Sequence, residues 1–266
     1  MAVLGSGSWG TALAVQLARA GRPTIMWGIE THEIKAMAKA RQNATYLPDV
    51  EFPDKLEVTT EFEVAVAGAK DLLIVVPSHA FREMLERCKS LPSPPEYVSW
   101  ATKGFEAETG LLPHQVADEV LRSKATTAVL SGPTFAAEVG LGLPSAITIA
   151  SRDEDYALRF AQSMATDNFR AYTSTDVVGV EVGGATKNVL AIGAGISDGL
   201  GFGANTRIAL VTRGLMEMMR LGLALGAQKD TFMGLSGMGD LVLPCTDDQS
   251  RNRRFGLDLA KGADIE

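Results

Sequence analysis

The chain has 266 residues, 46% of them apolar and 21% charged. That composition builds a sizeable core and excludes a disordered or low-complexity chain. Lys plus Arg number 25 against 32 Asp plus Glu, a net charge of −7, which excludes a broad basic surface for coating nucleic acid or an anionic membrane.

Val3-Leu4 open a buried strand, and Gly5-Ser6-Gly7-Ser8-Trp9-Gly10 follow at once. Residues 11–20, rich in Ala and Leu, predict a short helix, Gly21-Arg22-Pro23 punctuate, and 24–27 make a second strand. Apolar runs recur at 72–76, 97–101, 128–130 and 146–150, with helical segments such as 81–88 and 156–164 between them. Short apolar strands alternating with helices predict a mostly parallel sheet with helices on both faces. The pattern changes after Tyr172: helices are predicted over 176–200, 206–225 and 251–261, and no strand beyond about residue 175. The expected architecture is a Rossmann-like α/β domain at 1–175 followed by an all-α domain at 176–266.

Cys88 and Cys245 cannot build a disulfide framework and fit a reducing cytoplasm. No basic-then-apolar leader precedes the first strand, so no secretory signal is expected. Three histidines, without CxxC or HExxH, predict no dedicated metal site. Glu181, Lys187 and Asp198 interrupt the apolar, glycine-rich stretch 177–200, so no membrane span is expected there.

Gly5-x-Gly7-x-x-Gly10 matches the dinucleotide-binding turn in its required setting of strand, turn and helix. The first glycine permits the tight turn, the second lets the backbone approach a pyrophosphate, and the third allows close helix–strand packing. The helix start offers unpaired N–H groups to the phosphates. Glu30 lies 20 residues beyond Gly10, where a carboxylate accepts from ribose hydroxyls, although a solvated loop carboxylate reads the same way. Ile29 offers no charge to a 2′-phosphate, while His32 and Lys35 are near in sequence.

The segment 5–14 resembles the opening of NAD(P)-dependent glycerol-3-phosphate dehydrogenases of the bacterial type. The resemblance continues, in order, through 76–79, 101–104, 131–136, 183–189, 237–241 and 250–256, and covers essentially the whole chain. The family is longer at its C-terminus, so the chain is expected to be a C-terminally truncated member with an incomplete helical domain. The resemblance implies interconversion of sn-glycerol 3-phosphate and dihydroxyacetone phosphate with NAD or NADP. In bacteria the family supplies glycerol 3-phosphate for phospholipids. A homodimer through the helical domains is a family-level expectation. Many bacterial members carry His or Arg where Ile29 stands, which tilts the expectation for this chain toward NAD.

Lys187 is the candidate proton carrier. Gly183 and Gly184 precede it by four and three residues and Ala191 follows by four, predicting a bare helix face that admits substrate or nicotinamide. Burial there lowers a lysine pKa toward working pH, and an ion pair with Glu181 is the plainer alternative. The resemblance assigns Lys187 as proton acceptor. Lys103 follows a strand at the sheet edge where ligands bind, and the resemblance implies contact with both substrate and cofactor. Gly132, Thr134 and Ala136 follow an apolar run and open a helix, which suits an anion or a simple cap. By resemblance Gly132 and Thr134 touch substrate, and Ala136 touches cofactor with Gly5, Gly7, Ser8, Trp9, Gly10 and Arg251.

Asp240, in a glycine-rich turn, is expected to orient or pair with Lys187, with a helix cap as the alternative. Ser250, Arg251 and Asn252 are expected to grip phosphate, Arg251 as bidentate donor. Arg253 and Arg254 are expected to be solvated.

Three competing readings remain at this point. One is another dehydrogenase acting on a different small anion, with a lysine or a His–carboxylate pair as acid/base. A second is a sugar-nucleotide dehydrogenase using Cys245 as nucleophile. The third is a dinucleotide sensor without catalysis.

Overall fold

The computed structural model describes residues 1–122 and 124–263; the last three residues of the expected helical domain lie outside that range. The chain opens with β1 (Ala2–Leu4), α1 (Ser8–Arg19) and β2 (Thr24–Trp27). Then come α2 (Thr31–Ala40), the short strands β3 (Gln42–Asn43), β4 (Leu47–Glu51) and β5 (Leu56–Thr59), and α3 (Phe62–Val66). The sheet continues through β6 (Asp71–Ile74), α4 (Ser78–Lys89), β7 (Tyr97–Trp100), α5 (Pro113–Leu121), β8 (Thr126–Ser131), α6 (Ala136–Leu141), β9 (Ser145–Ala150), α7 (Glu154–Met164) and β10 (Phe169–Ser174).

Eight strands form one sheet in the order β10-β9-β8-β7-β6-β1-β2-β5, and β3 pairs with β4 separately. Every pairing in the large sheet is parallel except β8 with β9. The order reverses at β1, which lies between β6 and β2, so a crevice opens there at the carboxyl ends of the strands. The glycine loop after β1 sits at that crevice. Ala2, Val3 and Leu4 are fully buried, as a central strand covered on both faces requires. In α1, Ala12, Leu13, Ala14, Val15 and Leu17 are also fully buried, which is why small and branched residues crowd it. Buried Gln16 donates to the Met164 carbonyl at 2.8 Å and so ties α1 to the end of α7.

Beyond β10 the chain is helical: α8 (Val177–Gly199), α9 (Ala204–Ala224), α10 (Lys229–Met233), α11 (Asp240–Thr246) and α12 (Arg251–Ala260), with a single π-type turn at Leu235–Gly239. Asp176 caps α8, its carboxylate accepting from Gly179 N at 2.8 Å and also from Thr231 and the Gln228 N–H. The glycines of α8 allow backbone-to-backbone packing. A Cβ on Gly195 would meet the Arg253 carbonyl at 2.0 Å, and one on Gly256 would meet the Ile192 carbonyl at 2.1 Å. Among the described residues no helix is long and apolar enough to cross a membrane.

The short elements between β2 and β6, together with α5, α6, β10, α10 and α11, add to the sequence expectation. Most have seven residues or fewer, too short to establish a period.

Candidate functional site

A cleft of about 430 Å³ lies where the glycine loop, the β8–α6 connection, α8 and the start of α12 converge. Ser8, Trp9, Lys103, Thr134, Ala136, Lys187, Ser250, Arg251 and Asn252 all line it, although they span most of the chain. Gly5 and Gly7 line a second cavity of about 340 Å³ beside it, with Trp27, Ile29 and Glu30. Gly10, Gly132 and Asp240 line neither. Gly10 is packed so tightly that a Cβ would meet the Gly5 carbonyl at 2.1 Å, and one on Gly132 would meet the Ile147 backbone at 3.0 Å.

Asp240 lies behind the cleft, 1% exposed, and organises its floor. Its Oδ2 accepts from Lys103 Nζ and from Ser131 Oγ, each at 2.9 Å, and its Oδ1 from Lys187 Nζ. The carboxylate therefore does not cap α11. Burial opposes its charge, yet the two lysines hold its carboxyl below the usual range. Burial pushes Lys103 down to about 7; Asp240 resists this and Lys187 adds to it. Two ammonium groups on one buried carboxylate leave an excess positive charge, so this cluster readily gives up a proton near neutral pH.

The Lys103 segment is braced from outside. Arg82 donates to both Glu106 oxygens at 2.8 Å, and these bonds hold the Glu106 carboxyl down at about 2. At the opposite rim Ser250 caps α12 by accepting from Arg253 N at 3.2 Å. The helix start, Arg251 and Asn252 thus present donors to the cleft.

Three expectations need correction. The glycine face before Lys187 does not admit a ligand. A Cβ on Gly183 would meet the Ser236 carbonyl at 2.0 Å, and one on Gly184 would meet Ser131 Oγ at 3.2 Å and the Lys103 stem at 3.4 Å. The face is bare because protein fills it. Arg253 is not solvated: it is buried and pairs with Asp198 at 2.5 Å and with Asp248, whereas Arg254 is exposed as expected. Thr134 does not open a helix, since α6 begins at Ala136 after Phe135. Lys187 pairs with Asp240 rather than with Glu181, which is bonded to His114.

The sequence reading missed Ser131 and Glu33. Ser131 is a buried hydroxyl ending an apolar strand, and that position was its available signal. Glu33, one turn after Glu30 on α2, lines the second cavity with it, while His32 and Lys35 do not.

Family models for the N-terminus and the C-terminus of NAD-dependent glycerol-3-phosphate dehydrogenase match residues 1–157 and 176–266. The chain belongs to this family. A glycerol-3-phosphate dehydrogenase [NAD(P)+] of Tolumonas auensis is 53% identical over all of this chain and 80% of its own length. One from Escherichia coli O1:K1 is also 53% identical, over 79% of its length. The crystal structure of the glycerol-3-phosphate dehydrogenase of Coxiella burnetii is 44% identical with a TM-score of 0.95, covering 99% of this chain and 80% of that one. The Saccharomyces cerevisiae enzyme is 26% identical with a TM-score of 0.84, covering 98% and 80%. The chain thus spans about four fifths of the curated relatives it matches.

The residues present fit the dinucleotide of this family. Gly5 has φ +128°, and its Cβ would strike the Val75 carbonyl at 2.2 Å, so only glycine makes the turn. A Cβ on Gly7 would meet nothing within 4 Å, leaving its face open to a ligand. Buried Trp9 Nε1 has no hydrogen-bond partner among the described residues and belongs to a cleft-lining residue, a donor left over for a bound acceptor. Membership in the family also removes the competing chemistries. Cys245 is fully buried and burial pushes its thiol up to about 11, which disarms it as a nucleophile. A His–carboxylate pair does exist, His114 with Glu181, but neither residue lines the cleft.

Proposed function

We propose that this chain interconverts sn-glycerol 3-phosphate and dihydroxyacetone phosphate with NAD(P), chiefly toward glycerol 3-phosphate for phospholipid synthesis. The observation that carries this reading is the pair of lysines sharing buried Asp240 beneath a cleft whose far rim is the start of α12 with Arg251. When bound, the dinucleotide supplies or accepts the hydride. Gly5, Gly7, Ser8, Trp9 and Gly10 form its turn, with Ala136, Arg251 and Lys103 alongside. Ser250, Arg251, Asn252 and Thr134 hold the substrate phosphate, and Gly132 shapes the connection that carries Thr134.

Lys187 gives its proton to the carbonyl oxygen in reduction and recovers it in oxidation. Asp240 aims both lysines, and Lys103 stabilises negative charge on the same oxygen. The depressed pKa of Lys103 favours a second assignment, in which Lys103 is the group that exchanges the proton.

The division of labour falls at 175/176, with the cofactor held by 1–175 except for Arg251 and the proton-moving lysine supplied by 176–266. The end of the last strand at Ser174 and the start of α8 at Val177 support it. A homodimer through the helical part is supported by exposed Leu200, Phe202 and Ile208, and sedimentation would show a monomer if it is wrong. Two buried free thiols support a cytoplasmic location.

The test is steady-state oxidation of NADH with dihydroxyacetone phosphate. Lys187→Ala should lower kcat about 10²–10⁴-fold with cofactor binding nearly intact. Lys187→Arg should be no better, because a guanidinium does not deprotonate. Near-normal turnover of Lys187→Arg with loss in Lys103→Arg would transfer the acid/base role to Lys103.

A further inference from the structure

Glu181 is 4% exposed and lies on α8 six residues before Lys187, about 9 Å along the helix axis. Its Oε1 accepts from the indole Nε1 of Trp100 and from the backbone N of His114, each at 2.9 Å. Its Oε2 meets His114 Nδ1 at 2.5 Å. Trp100 ends β7 three residues before Lys103, and His114 stands in the first turn of α5, eleven residues after it. One side chain on the Lys187 helix therefore grips both flanks of the Lys103 segment. Burial raises the Glu181 carboxyl above its usual range and His114 opposes that rise.

We propose that Glu181 is a positioning residue: by holding Trp100 and His114 it sets the Lys103 segment against α8, so that Lys103 and Lys187 reach one carboxylate together. The inference rests on the dehydrogenase reading for its consequence in turnover, but the clamp itself does not. Arg82 and Glu106 hold the outer side of the segment, and Glu181 ties its two flanks to α8. Three hydrogen bonds carry the clamp, and a net charge is not required. The carbonyl of a glutamine would accept from Trp100 and His114 N, and its amide would donate to an unprotonated ring nitrogen of His114.

The test uses the full chain with Glu181→Leu, Glu181→Gln and Trp100→Phe. Lys103 is faced by Asp240 and Lys187, and its titration near 7 reports how well the segment is packed. That titration is read by NMR of isotope-methylated lysines in protein without dinucleotide. Glu181→Leu should admit water, raise the Lys103 titration toward the ordinary lysine range, and lower kcat about ten- to hundredfold. The KM for NADH should change less than kcat, because the glycine loop is untouched and Lys103 is one cofactor contact among several. Trp100→Phe, which deletes one N–H and keeps a ring, should shift both readouts the same way by less. Glu181→Gln should recover most of the rate and the low Lys103 titration.

The proposal is overturned if Lys103 titrates as in the parent chain in both Glu181→Leu and Trp100→Phe, or if Glu181→Gln is as damaged as Glu181→Leu. If Glu181→Leu does not fold, the other two variants decide. A parent chain inactive toward dihydroxyacetone phosphate would refute the functional reading, and the Lys103 titration would still decide the clamp.

Discussion

Gly5, Gly7 and Gly10 shape a loop whose open side faces two cavities, whereas Gly183, Gly195 and Gly199 face the backbone or side chains of neighbouring segments. The same residue does different work in the two halves. In the sheet half, Gly5 and Gly10 close the turn against the Val75 and Gly5 carbonyls, and the missing side chain of Gly7 leaves room for a ligand. In the helical half missing side chains let α8 approach the π-type turn and α12 closely enough to fix where Lys187 stands. A glycine-rich stretch therefore marks close approach in both places, but only its surroundings say what approaches.

Substitutions that fill each kind of space sharpen this contrast. Gly183→Val should cost about 3 kcal/mol or more, read from denaturant unfolding, because the Ser236 carbonyl occupies the place of the new Cβ. A variant as stable as the parent would restore the open-face reading of α8. Gly7→Ala should behave oppositely. Its stability should stay within about 0.5 kcal/mol. Its NADH affinity, read by fluorescence titration, should fall about tenfold, or about 1.4 kcal/mol. Lost stability with intact affinity would mean that the loop is held for packing alone.

Cofactor choice tests the sheet half again. Exposed Ile29 offers no charge, while Glu30 and Glu33 line the second cavity. NADPH should not be preferred over NADH by more than about 100-fold, some 2.7 kcal/mol. Replacing both carboxylates with glutamine should move the ratio of kcat/KM values toward NADPH by about tenfold or less. No movement would show that the two glutamates do not face the ribose.

A pH dependence arises where the two halves meet, at Lys103 of the sheet half against Asp240 and Lys187 of the helical half. Lys103 titrates at about 7 when folded, below its ordinary value of 10.5. Between those values the unfolded chain binds a proton that the folded chain does not, so folding stability should rise with pH across that window. Below about 7 the cost of the buried charge is fully present. Denaturation midpoints at pH 7 and pH 9 should show the rise, and Lys103→Met should flatten it.

Much of the site was legible because its parts are local. The glycine turn needs only a strand, a spacing and a helix start, so residues 5–10 could be placed at a sheet edge without coordinates. The strand and helix runs were legible where an element was long enough to show a period. The ordered set of motifs likewise singled out Lys103, Lys187 and Arg251 as cations suited to a phosphorylated substrate, and Asp240 as a partner to orient Lys187.

What faces each of those residues was not legible, because it depends on which distant segment packs there. Gly183 and Gly184 read as an open face until Ser236 and Lys103 were seen against them. Arg253 read as solvated until Asp198, 55 residues away, was found paired with it. Glu181 stood as the alternative local partner for Lys187, but folding gave it to His114 and Trp100. Periodicity and motif spacing record how the chain meets its near neighbours. The sharing of one buried carboxylate by Lys103 and Lys187, 84 positions apart, follows only from long-range packing, which brings charges together that no spacing along the chain relates.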